Sequence, residues 1–301
     1  MSDAIPLPCK TRELHNHHMD STIWNDFPFR DDDIIIGTYA KAGTTWTQQI
    51  VGQLIYGGDP NLPTEQLTPW LEVRVMPYEV KMDILEGQTK RRFIKTHLPL
   101  DALVFNPACK YLYVTRNFPD IVWSLHNHLL NFTEEAYHMF NDTPGLVGPP
   151  LEPPPADVKT FWYRMLREDG YPMWSFWENI RTWWQYRDLP NIKLFHYNDL
   201  KHDLEGEMRD IADFLEIDVE ESRWPKIVEY CIFDWMKAHA EQVTPMGGQV
   251  FAGGAKAFIN KGTNNRWKDV LTEADYQEYV DLAVKELGTE CAAWVIEGKG
   301  A

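Results

Sequence analysis

Cysteine is scarce in this chain. Its four cysteines, Cys9, Cys109, Cys231 and Cys291, are widely spaced, and no Cys-x-x-Cys pair occurs. A disulfide framework or a cysteine-ligated zinc site is therefore not expected. Separate reduced thiols are typical of cytosolic proteins, so we predict a cytoplasmic location.

Long apolar runs are also missing. No stretch of about 18 apolar residues is present, so we expect neither a membrane span nor a membrane partner. Residues 1–10 lack a charged segment followed by an apolar one, and we expect no signal peptide. Hydrophobic residues make up 44% of the 301 residues, which is ordinary for a globular protein. We predict a single domain over residues 1–301.

Positive charge is in short supply as well. The chain has 29 Lys and Arg against 45 Asp and Glu, a formal net charge of −16. This balance argues against nucleic acid or an anionic membrane surface as the main partner. An anionic cofactor would need a local basic pocket, which only a few Lys and Arg side chains at strand ends could supply.

One strand–loop–helix unit is typical of a phosphate site. The three isoleucines at 34–36 predict a short buried strand, and Gly43 ends a loop just before an amphipathic helix begins at Thr44. Loop amides, the helix dipole and the charge of Lys41 together favour a bound phosphate. Thr44 and Thr45 can both cap the helix and donate hydroxyls to phosphate oxygens.

The order of residues in this loop is not that of a Walker A motif. A Walker A loop places Lys directly after its second Gly, whereas Lys41 precedes Gly43 here and Thr-Thr-Trp follows. The displaced lysine suggests a different phosphate ester, and Trp46 suggests an aromatic base stacked nearby. A small-molecule kinase that uses ATP and magnesium is the alternative, and the residue order argues against it.

Strands and helices alternate along the chain. Three further strands are predicted at 91–97, 110–115 and 191–197, and helices are predicted between and after them. Strands separated by helices argue for a right-handed parallel α/β sheet whose site lies at the carboxyl ends of the strands.

Residues at these strand ends could carry chemistry. His97 closes the second strand, and a histidine with a pKa near neutrality suits a general base. Arg116 leaves the third strand, and Ser124 lies in the following helix, so the two could converge on a second phosphate. Taken alone, a histidine at a strand end or a surface arginine with a helix serine is a weak signal.

Four other segments are less specific. Residues 15–18 include three histidines but no carboxylate or cysteine that completes a convincing ligand set, so we expect a solvated segment without metal. Aromatic residues in the segment 24–29 are candidates to line an acceptor pocket. Tryptophans recur at helical spacing within 161–187, where core packing is the commoner explanation. The proline-rich segment 141–157 predicts an exposed loop.

These motifs together resemble the cytosolic sulfotransferases, which use 3′-phosphoadenosine 5′-phosphosulfate (PAPS). Lys-Ala-Gly-Thr-Thr-Trp at 41–46 resembles the 5′-phosphosulfate loop of that family, and Lys-Thr-His-Leu-Pro at 95–99 matches its catalytic segment. Arg116 with Ser124 resembles its 3′-phosphate site. The resemblance extends from about residue 30 to residue 270. It implies a P-loop-like three-layer α/β fold with a central parallel sheet flanked by helices.

The C-terminal motif matches less completely. The family's second 3′-phosphate segment reads Arg-Lys-Gly-x-x-Gly-Asp-Trp-Lys, and Lys261 and Gly262 match it. Asn260 stands where arginine is usual, which we expect to weaken the phosphate contact by about 1–3 kcal/mol. Asn265-Arg266 replaces Gly-Asp, and Arg266 is a candidate to compensate for the lost arginine.

The adenine side of the resemblance rests on aromatic residues. Tyr197 and Phe233 stand where the family contacts adenine, and we expect Phe233 to stack opposite Trp46. Cys231-Ile232 replaces a Thr-Ser pair, which removes hydroxyls near the nucleotide. The segment 268–272 only loosely resembles the family's dimerisation motif, so we predict a monomer or a weak homodimer.

The resemblance implies sulfuryl transfer from PAPS to a hydroxyl of a small apolar or aromatic acceptor. The catalytic residues would be His97 as general base, with Lys41 and Lys95 stabilising charge on the leaving phosphate. The implied cofactor-binding residues are Lys41, Ala42, Gly43, Thr44, Thr45, Trp46, Arg116, Ser124, Tyr197, Phe233, Lys261 and Gly262. No metal is expected, because lysines and helix amides neutralise the donor. A non-catalytic nucleotide-binding relative is a second alternative, given the departures at the C-terminal motifs.

Overall fold

Four parallel strands form the centre of the protein, which a computed structural model describes over residues 6–299. The strands are β1 (Ile34–Thr38), β2 (Phe93–Thr96), β3 (Lys110–Thr115) and β4 (Ile192–His196). Their order across the sheet is β2-β1-β3-β4, and every pairing is parallel. The predicted strands and the parallel sheet are therefore confirmed, with slightly different strand bounds.

Residues 1–5 and 300–301 lie outside the described residues. The expected absence of a signal peptide falls partly on the first of these segments. Both segments also belong to the predicted single domain over residues 1–301.

Helices follow each strand and cover both faces of the sheet. They are α1 (Thr44–Tyr56), α2 (Thr64–Leu67), α3 (Tyr78–Glu86), α4 (Phe118–Leu130), α5 (Glu134–Asp142), α6 (Val158–Arg167), α7 (Phe176–Trp184), α8 (Tyr197–His202), α9 (Leu204–Leu215), α10 (Trp224–Glu229), α11 (Phe233–Ala238), α12 (Ala240–Val243), α13 (Ala255–Phe258), α14 (Glu273–Leu287) and α15 (Thr289–Glu297). The C-terminal helical region is divided at Gly288, whose φ of 78° is open to glycine and ends α14.

Alternation along the strands builds two hydrophobic cores. Side chains of successive strand residues point to opposite faces, so Ile34 and Ile36 pack on one face and Ile35 on the other. The first face is covered by apolar residues of α1, α9 and α10, and the second by those of α4, α6, α7 and α14. The sheet between two helical layers is the predicted three-layer fold.

Tryptophans of the 161–187 region lie in the core, as predicted. Trp162, Trp177 and Trp183 are all buried on the second face of the sheet. Gly37 in β1 allows the closest of these contacts, because a Cβ atom there would lie 2.5 Å from the Trp183 ring. The missing side chain at Gly37 therefore lets α7 pack close to the backbone of β1.

The N-terminal segment differs from its prediction. Trp24 and Phe27 are buried in the core and do not line the cavity described below, so the expectation that they form an acceptor pocket is wrong. His17 and His18 are 4% and 3% exposed, so this segment is not solvated. His17 contacts the carbonyl of Pro172 and His18 packs against the Phe140 and Trp174 rings, all far away in sequence.

The proline-rich loop is only partly exposed. Residues 143–157 contain neither helix nor strand, as predicted. The Asn141 side chain donates to the carbonyl of Leu151 at 2.9 Å and accepts from its amide at 2.7 Å. Leu151 is buried, so this amide clamp anchors the middle of the loop to the end of α5.

A buried ion pair aligns the starts of two neighbouring strands. Asp33 precedes β1 and Arg92 precedes β2, and neither side chain is exposed. Arg92 Nε and Nη2 donate to the two oxygens of Asp33 at 2.8 and 2.6 Å. Nη2 also donates to the carbonyl of Pro28 at 2.9 Å. Because a bidentate charge-assisted pair is geometrically specific, it fixes the position of β2 beside β1.

The substitution Asp33→Ala should lower the free energy of unfolding by about 3 kcal/mol, because it removes the buried carboxylate and leaves Arg92 only the half-exposed Glu86, 3.1 Å from its Nη1. Urea denaturation followed by circular dichroism measures the change. The control is Glu278→Gln, which removes the exposed partner of Arg167 and should leave the unfolding midpoint unchanged. A loss below about 1 kcal/mol for Asp33→Ala would contradict this role.

Candidate active site

A cavity of about 980 Å³ opens at the carboxyl ends of the four strands. The loop after β1 contributes Lys41, the end of β2 contributes His97, and Arg116 and Tyr197 follow β3 and β4. This is the edge at which a parallel sheet presents a site. The sequence-predicted residues that line the cavity are Lys41, Gly43, Thr44, Thr45, Trp46, Lys95, His97, Arg116, Ser124, Tyr197, Phe233, Lys261 and Gly262.

The phosphate loop (residues 39–43) is shaped by left-handed backbone. Lys41 has a φ of 65°, and Gly43, the residue before α1, has a φ of 124°. A Cβ atom at Gly43 would lie 3.0 Å from the Tyr197 ring, so glycine is needed for both conformation and space. Thr44 opens α1 and its hydroxyl lies 2.7 Å from that of Thr38 in β1. The helix N-terminus thus faces the cavity with a suitable geometry for an anion.

Ala42 is the exception among the predicted site residues. Its side chain is buried in the core, away from the cavity lining. Its amide donates to the carbonyl of Tyr39 at 3.2 Å. Ala42 therefore closes the turn of the phosphate loop, and its side chain does not line the cavity.

His97 presents one unprotonated nitrogen to the cavity. Its Nδ1 lies 2.9 Å from the Thr38 carbonyl, and since a carbonyl only accepts, Nδ1 carries the proton. Nε2 is then left with a lone pair. Burial, with added repulsion from Lys95 and Lys41, lowers the pKa of His97 to about 3. The expected near-neutral pKa is therefore not found, and the imidazole is neutral at physiological pH.

A buried carboxylate that sequence reasoning missed holds the His97 segment. Glu72 is 1% exposed, and its Oε1 accepts from the amide of His97 at 2.7 Å and from the hydroxyl of Thr96 at 2.9 Å. The same carboxylate accepts from the indoles of Trp70 at 2.6 Å and Trp24 at 3.1 Å. A single acid in the apolar run 70–76 is the signal that could have revealed it.

Lys95 is engaged by a second missed carboxylate. Its ammonium lies 2.9 and 3.2 Å from the two oxygens of Glu65, and both side chains are largely buried. Burial raises the pKa of Glu65, although the Lys95 charge opposes the rise. This pair places a carboxylate and an ammonium together beside the phosphate loop.

Lys41 lies against aromatic rings. Its ammonium is 3.3 Å from Nδ1 of His128 and 4.2 Å from the centroid of the Phe258 ring. Burial, with repulsion from Arg116 and Lys95, lowers the pKa of Lys41 to about 7. Three cations are thus gathered in a protein of net charge −16, which is the local basic pocket that an anionic donor requires. His128 and Phe258 were not anticipated from the sequence.

Contacts with two side chains fix the position of Arg116 at the other end of the basic pocket. Its guanidinium lies 4.3 Å from the centroid of the Tyr197 ring, and Nη2 and Nε donate to the Asn264 side chain at 2.5 and 3.1 Å. Ser124 lines the same part of the cavity. The side-chain oxygen of Asn264 therefore marks a position at which one oxygen atom accepts hydrogen bonds from both nitrogens of Arg116.

The loop 260–266 keeps the shape that its motif requires. Asn265 has a φ of 65°, so asparagine here adopts the left-handed conformation for which the related motif has glycine. The ammonium of Lys201 donates to the carbonyl of Gly262 at 2.6 Å, and Lys237 donates to that of Asn260. Arg266 lines the cavity.

The aromatic end of the cavity is organised around Trp46. Its ring meets that of Tyr197 edge-on at 5.1 Å, and its Nε1 donates to the carbonyl of Cys231 at 2.7 Å. Phe233 lines the same cavity. Of the replaced pair, Ile232 reaches the cavity, whereas the Cys231 thiol is fully buried.

The remaining part of the cavity, the acceptor chamber, is mostly apolar. It lies beside His97 and contains the imidazole of His18 among aromatic and sulfur-bearing side chains, and His128 packs against its Phe132 and Phe251. Its lining residues are His18, Trp70, Val73, Val75, Met76, Phe132, Met139, Phe140, Met173, Trp174 and Phe251. Trp70, Phe140 and Trp174 therefore give this chamber an aromatic wall.

Over residues 6–299, no group of three or more His, Cys, Asp or Glu side chains is placed to hold a metal ion. No helix in that part of the chain combines the length and apolar character needed to cross a bilayer.

Comparison with known proteins identifies relatives over most of the chain. The family described as "Sulfotransferase domain" matches residues 31–290. A glycolipid sulfotransferase of Mycobacterium bovis is 29% identical, over 93% of this chain and 92% of its own. Sulfotransferase 1 family member D1 of Rattus norvegicus is 27% identical, over 87% and 85%.

Solved structures support the fold. Mouse sulfotransferase SULT7A1, complexed with PAP, superposes with a TM-score of 0.69 at 20% identity, over 92% of this chain and 93% of that one. Retinol dehydratase in complex with androsterone and PAP gives a TM-score of 0.68 at 22% identity, over 88% and 83%. The P-loop-like α/β architecture is therefore shared.

The buried His97 imidazole should make stability depend on pH. Below about pH 6.5, the ordinary histidine pKa, His97 is protonated in the unfolded chain. In the folded protein it stays neutral until the pH falls to about 3. Stability should therefore fall as the pH falls from 6.5, by up to about 1.4 kcal/mol per pH unit from this residue. His97→Gln should flatten the slope in denaturation series from pH 7 to 4.5. The exposed His138 supplies the control, His138→Gln, and an equal slope in all three proteins would refute the assignment.

Proposed function

This chain belongs to the sulfotransferase domain family, and from that premise we propose that it transfers a sulfuryl group from PAPS to a hydroxyl of an apolar acceptor. The observation that carries the proposal is one cavity in which a phosphate loop, a cluster of cations and a neutral His97 adjoin an apolar chamber. The mouse relative bound to PAP, which is adenosine 3′,5′-bisphosphate, supports PAPS as the donor.

In the proposed complex the 5′-phosphosulfate lies at the N-terminus of α1. The amides and hydroxyls of Thr44 and Thr45 would bind the phosphate, with Gly43 giving close access. The adenine would lie among Trp46, Tyr197 and Phe233, as expected from the resemblance.

The 3′-phosphate would lie at Arg116 and Ser124, with Lys261 and Gly262 closing over it. Arg116 donates two hydrogen bonds to the Asn264 side chain. A phosphate oxygen could replace that side-chain oxygen without reorienting the guanidinium, which favours a preorganised site.

His97 would act as the general base. Its Nε2 accepts the hydroxyl proton as the acceptor oxygen attacks sulfur, and the bond between sulfur and the 5′-phosphate oxygen breaks. Lys41 and Lys95 stabilise the charge that develops on the leaving phosphate. The products are the sulfated acceptor and PAP. Because bound donor adds negative charge nearby, it raises the pKa of His97 and strengthens it as a base.

The acceptor we propose is a small apolar alcohol or phenol. Tryptophan, phenylalanine and methionine side chains dominate the chamber beside His97, and flexible methionines adapt to ligands of different shape. Among the relatives, one is named a glycolipid sulfotransferase, and retinol dehydratase is solved with retinol and with androsterone. The apolar compounds in these names are consistent with the apolar acceptor that we propose for this chain. A cytoplasmic location and a monomer or weak homodimer stay predictions.

His97→Gln should reduce sulfuryl transfer by about 10²-fold or more while leaving PAP affinity unchanged, because the base acts only on the acceptor proton. Calorimetric titration with PAP, 5′-AMP and Mg-ATP, followed by transfer from labelled PAPS to a panel of phenols and alcohols, measures both. Preference for Mg-ATP would favour the kinase alternative. Tight PAP binding without transfer in the unsubstituted protein would favour a non-catalytic relative.

Asn260→Arg should tighten PAP binding by roughly 5- to 100-fold, since it restores a charge-assisted contact of about 1–3 kcal/mol to the 3′-phosphate. Arg266→Ala should weaken PAP binding if Arg266 supplies the compensating charge. Binding of 5′-AMP, which lacks the 3′-phosphate, is the control and should not change in either variant. Equal changes for both nucleotides would place these residues away from the 3′-phosphate.

A further inference from the structure

His18 is a polar side chain in the wall of an apolar chamber. It is 3% exposed and lines the cavity. Its ring centroid lies 4.4 Å from that of Phe140, 6.0 Å from that of Trp70 and 6.2 Å from that of Trp174. A buried imidazole among aromatic rings calls for a hydrogen-bonding partner on each nitrogen.

A relay through His17 decides which nitrogen of His18 carries the proton. His17 Nε2 lies 2.6 Å from the Pro172 carbonyl, and since a carbonyl only accepts, Nε2 must donate. Burial lowers the pKa of both His17 and His18, so each ring is neutral and has one donor and one acceptor. His17 Nδ1 is then the acceptor in its contact with His18 Nδ1. His18 Nδ1 therefore donates, and His18 Nε2 is left as an acceptor.

The Nε2 atom of His18 is unpartnered. Over residues 6–299 no side chain or backbone group hydrogen-bonds to it, and it is not among the polar atoms sealed from solvent. The open space next to this ring is the acceptor chamber. A ligand in the chamber can therefore supply the missing donor.

His18 and His97 are two of three imidazoles that line the cavity, and the third, His128, has its Nδ1 against the Lys41 ammonium. His97 packs against the same two indoles as His18, with centroid distances of 4.7 Å to Trp70 and 5.6 Å to Trp174. Both rings are fixed as the tautomer with a lone pair on Nε2. The chamber thus offers two hydrogen-bond acceptors across an aromatic wall, and one of them is the proposed base.

We infer that His18 forms a subsite for a second hydrogen-bond donor of the acceptor molecule, so that preferred acceptors carry two hydroxyl groups. One hydroxyl meets His97 and is sulfated, and the other donates to His18 Nε2 and orients the molecule. The inference rests on the proposed function only in naming the chamber as the place where the acceptor binds.

The subsite should distinguish a hydroxyl from other oxygen groups. Because Nε2 only accepts, an ether or ketone oxygen placed against it brings two lone pairs together. An apolar group leaves Nε2 buried without a partner, which is unfavourable by an amount that corresponds to about a tenfold change or more in affinity. Selection is therefore for a donor, and not for polarity in general.

The test compares matched probes in the presence of PAP. The first set is 4,4′-biphenol, 4-phenylphenol and 4′-methoxybiphenyl-4-ol, and the second is 2,6-dihydroxynaphthalene and 2-naphthol, which covers a shorter spacing. Calorimetry should show at least one dihydroxy probe binding roughly tenfold more tightly than its monohydroxy analogue, with the methoxy compound among the weaker ligands. No preference in either set would overturn the inference.

Two variants separate the hydrogen bond from packing. His18→Phe keeps an aromatic ring and should bring dihydroxy and monohydroxy probes to equal affinity. His17→Phe removes the acceptor that fixes the proton on His18 Nδ1, so His18 can instead carry its proton on Nε2. The His18 ring stays in place, and the affinity of the methoxy compound should rise relative to that of the dihydroxy compound. An unchanged melting temperature and PAP affinity confirm that each variant is folded. Preference retained in His18→Phe would overturn the inference.

Transfer from PAPS to the same probes distinguishes this inference from the proposed function. A dihydroxy preference in binding without any transfer would leave the subsite standing and remove the enzymatic proposal. If dihydroxy and monohydroxy probes bind equally well and are sulfated equally well, the enzymatic proposal stands and the subsite inference fails.

Discussion

The carboxylate of Glu72 is the contact on which the arrangement of the site depends. It is buried, and it accepts hydrogen bonds from the amide of His97 and from the indoles of Trp70 and Trp24. Those donors belong to the end of β2, to the cavity wall and to the N-terminal segment. Burial raises the pKa of Glu72, which reflects the unfavourable desolvation that these donors offset. One acid thus positions His97, the proposed general base, relative to the aromatic wall of the chamber.

The cations of the site present the opposite electrostatic problem. Lys41, Lys95 and Arg116 repel one another in a partly buried pocket, and the pKa of Lys41 is lowered by burial and, to a smaller extent, by that repulsion. Glu65 offsets the charge of Lys95, and Tyr197 and Phe258 give the other two cations an aromatic face. An anionic ligand that bound here would relieve the repulsion, so the pocket is less stable empty than occupied.

The sequence predicted the parts of the structure that are encoded locally. The strands, the phosphate loop and the placement of His97 and Arg116 at strand ends follow from short motifs and from parallel-sheet geometry. Glu72, Glu65, His18 and the Lys41–His128 contact were missed because each joins segments that are distant in sequence. Burial likewise decides the protonation of His97, and burial was not visible in its motif. The motif also did not indicate that the Ala42 side chain turns into the core.

Trp70 serves two purposes, and this limits how the protein can change over evolutionary time. Its indole Nε1 binds Glu72 while its ring faces both imidazoles of the chamber, so replacing it would alter acceptor fit and base alignment together. Met76, Met139 and Met173 line the same chamber and, as thioethers, make at most weak hydrogen bonds. A change in acceptor preference is therefore easier to reach by substituting these methionines than by substituting Trp70. The chamber wall has one part that is constrained by its contact with Glu72 and another that can vary.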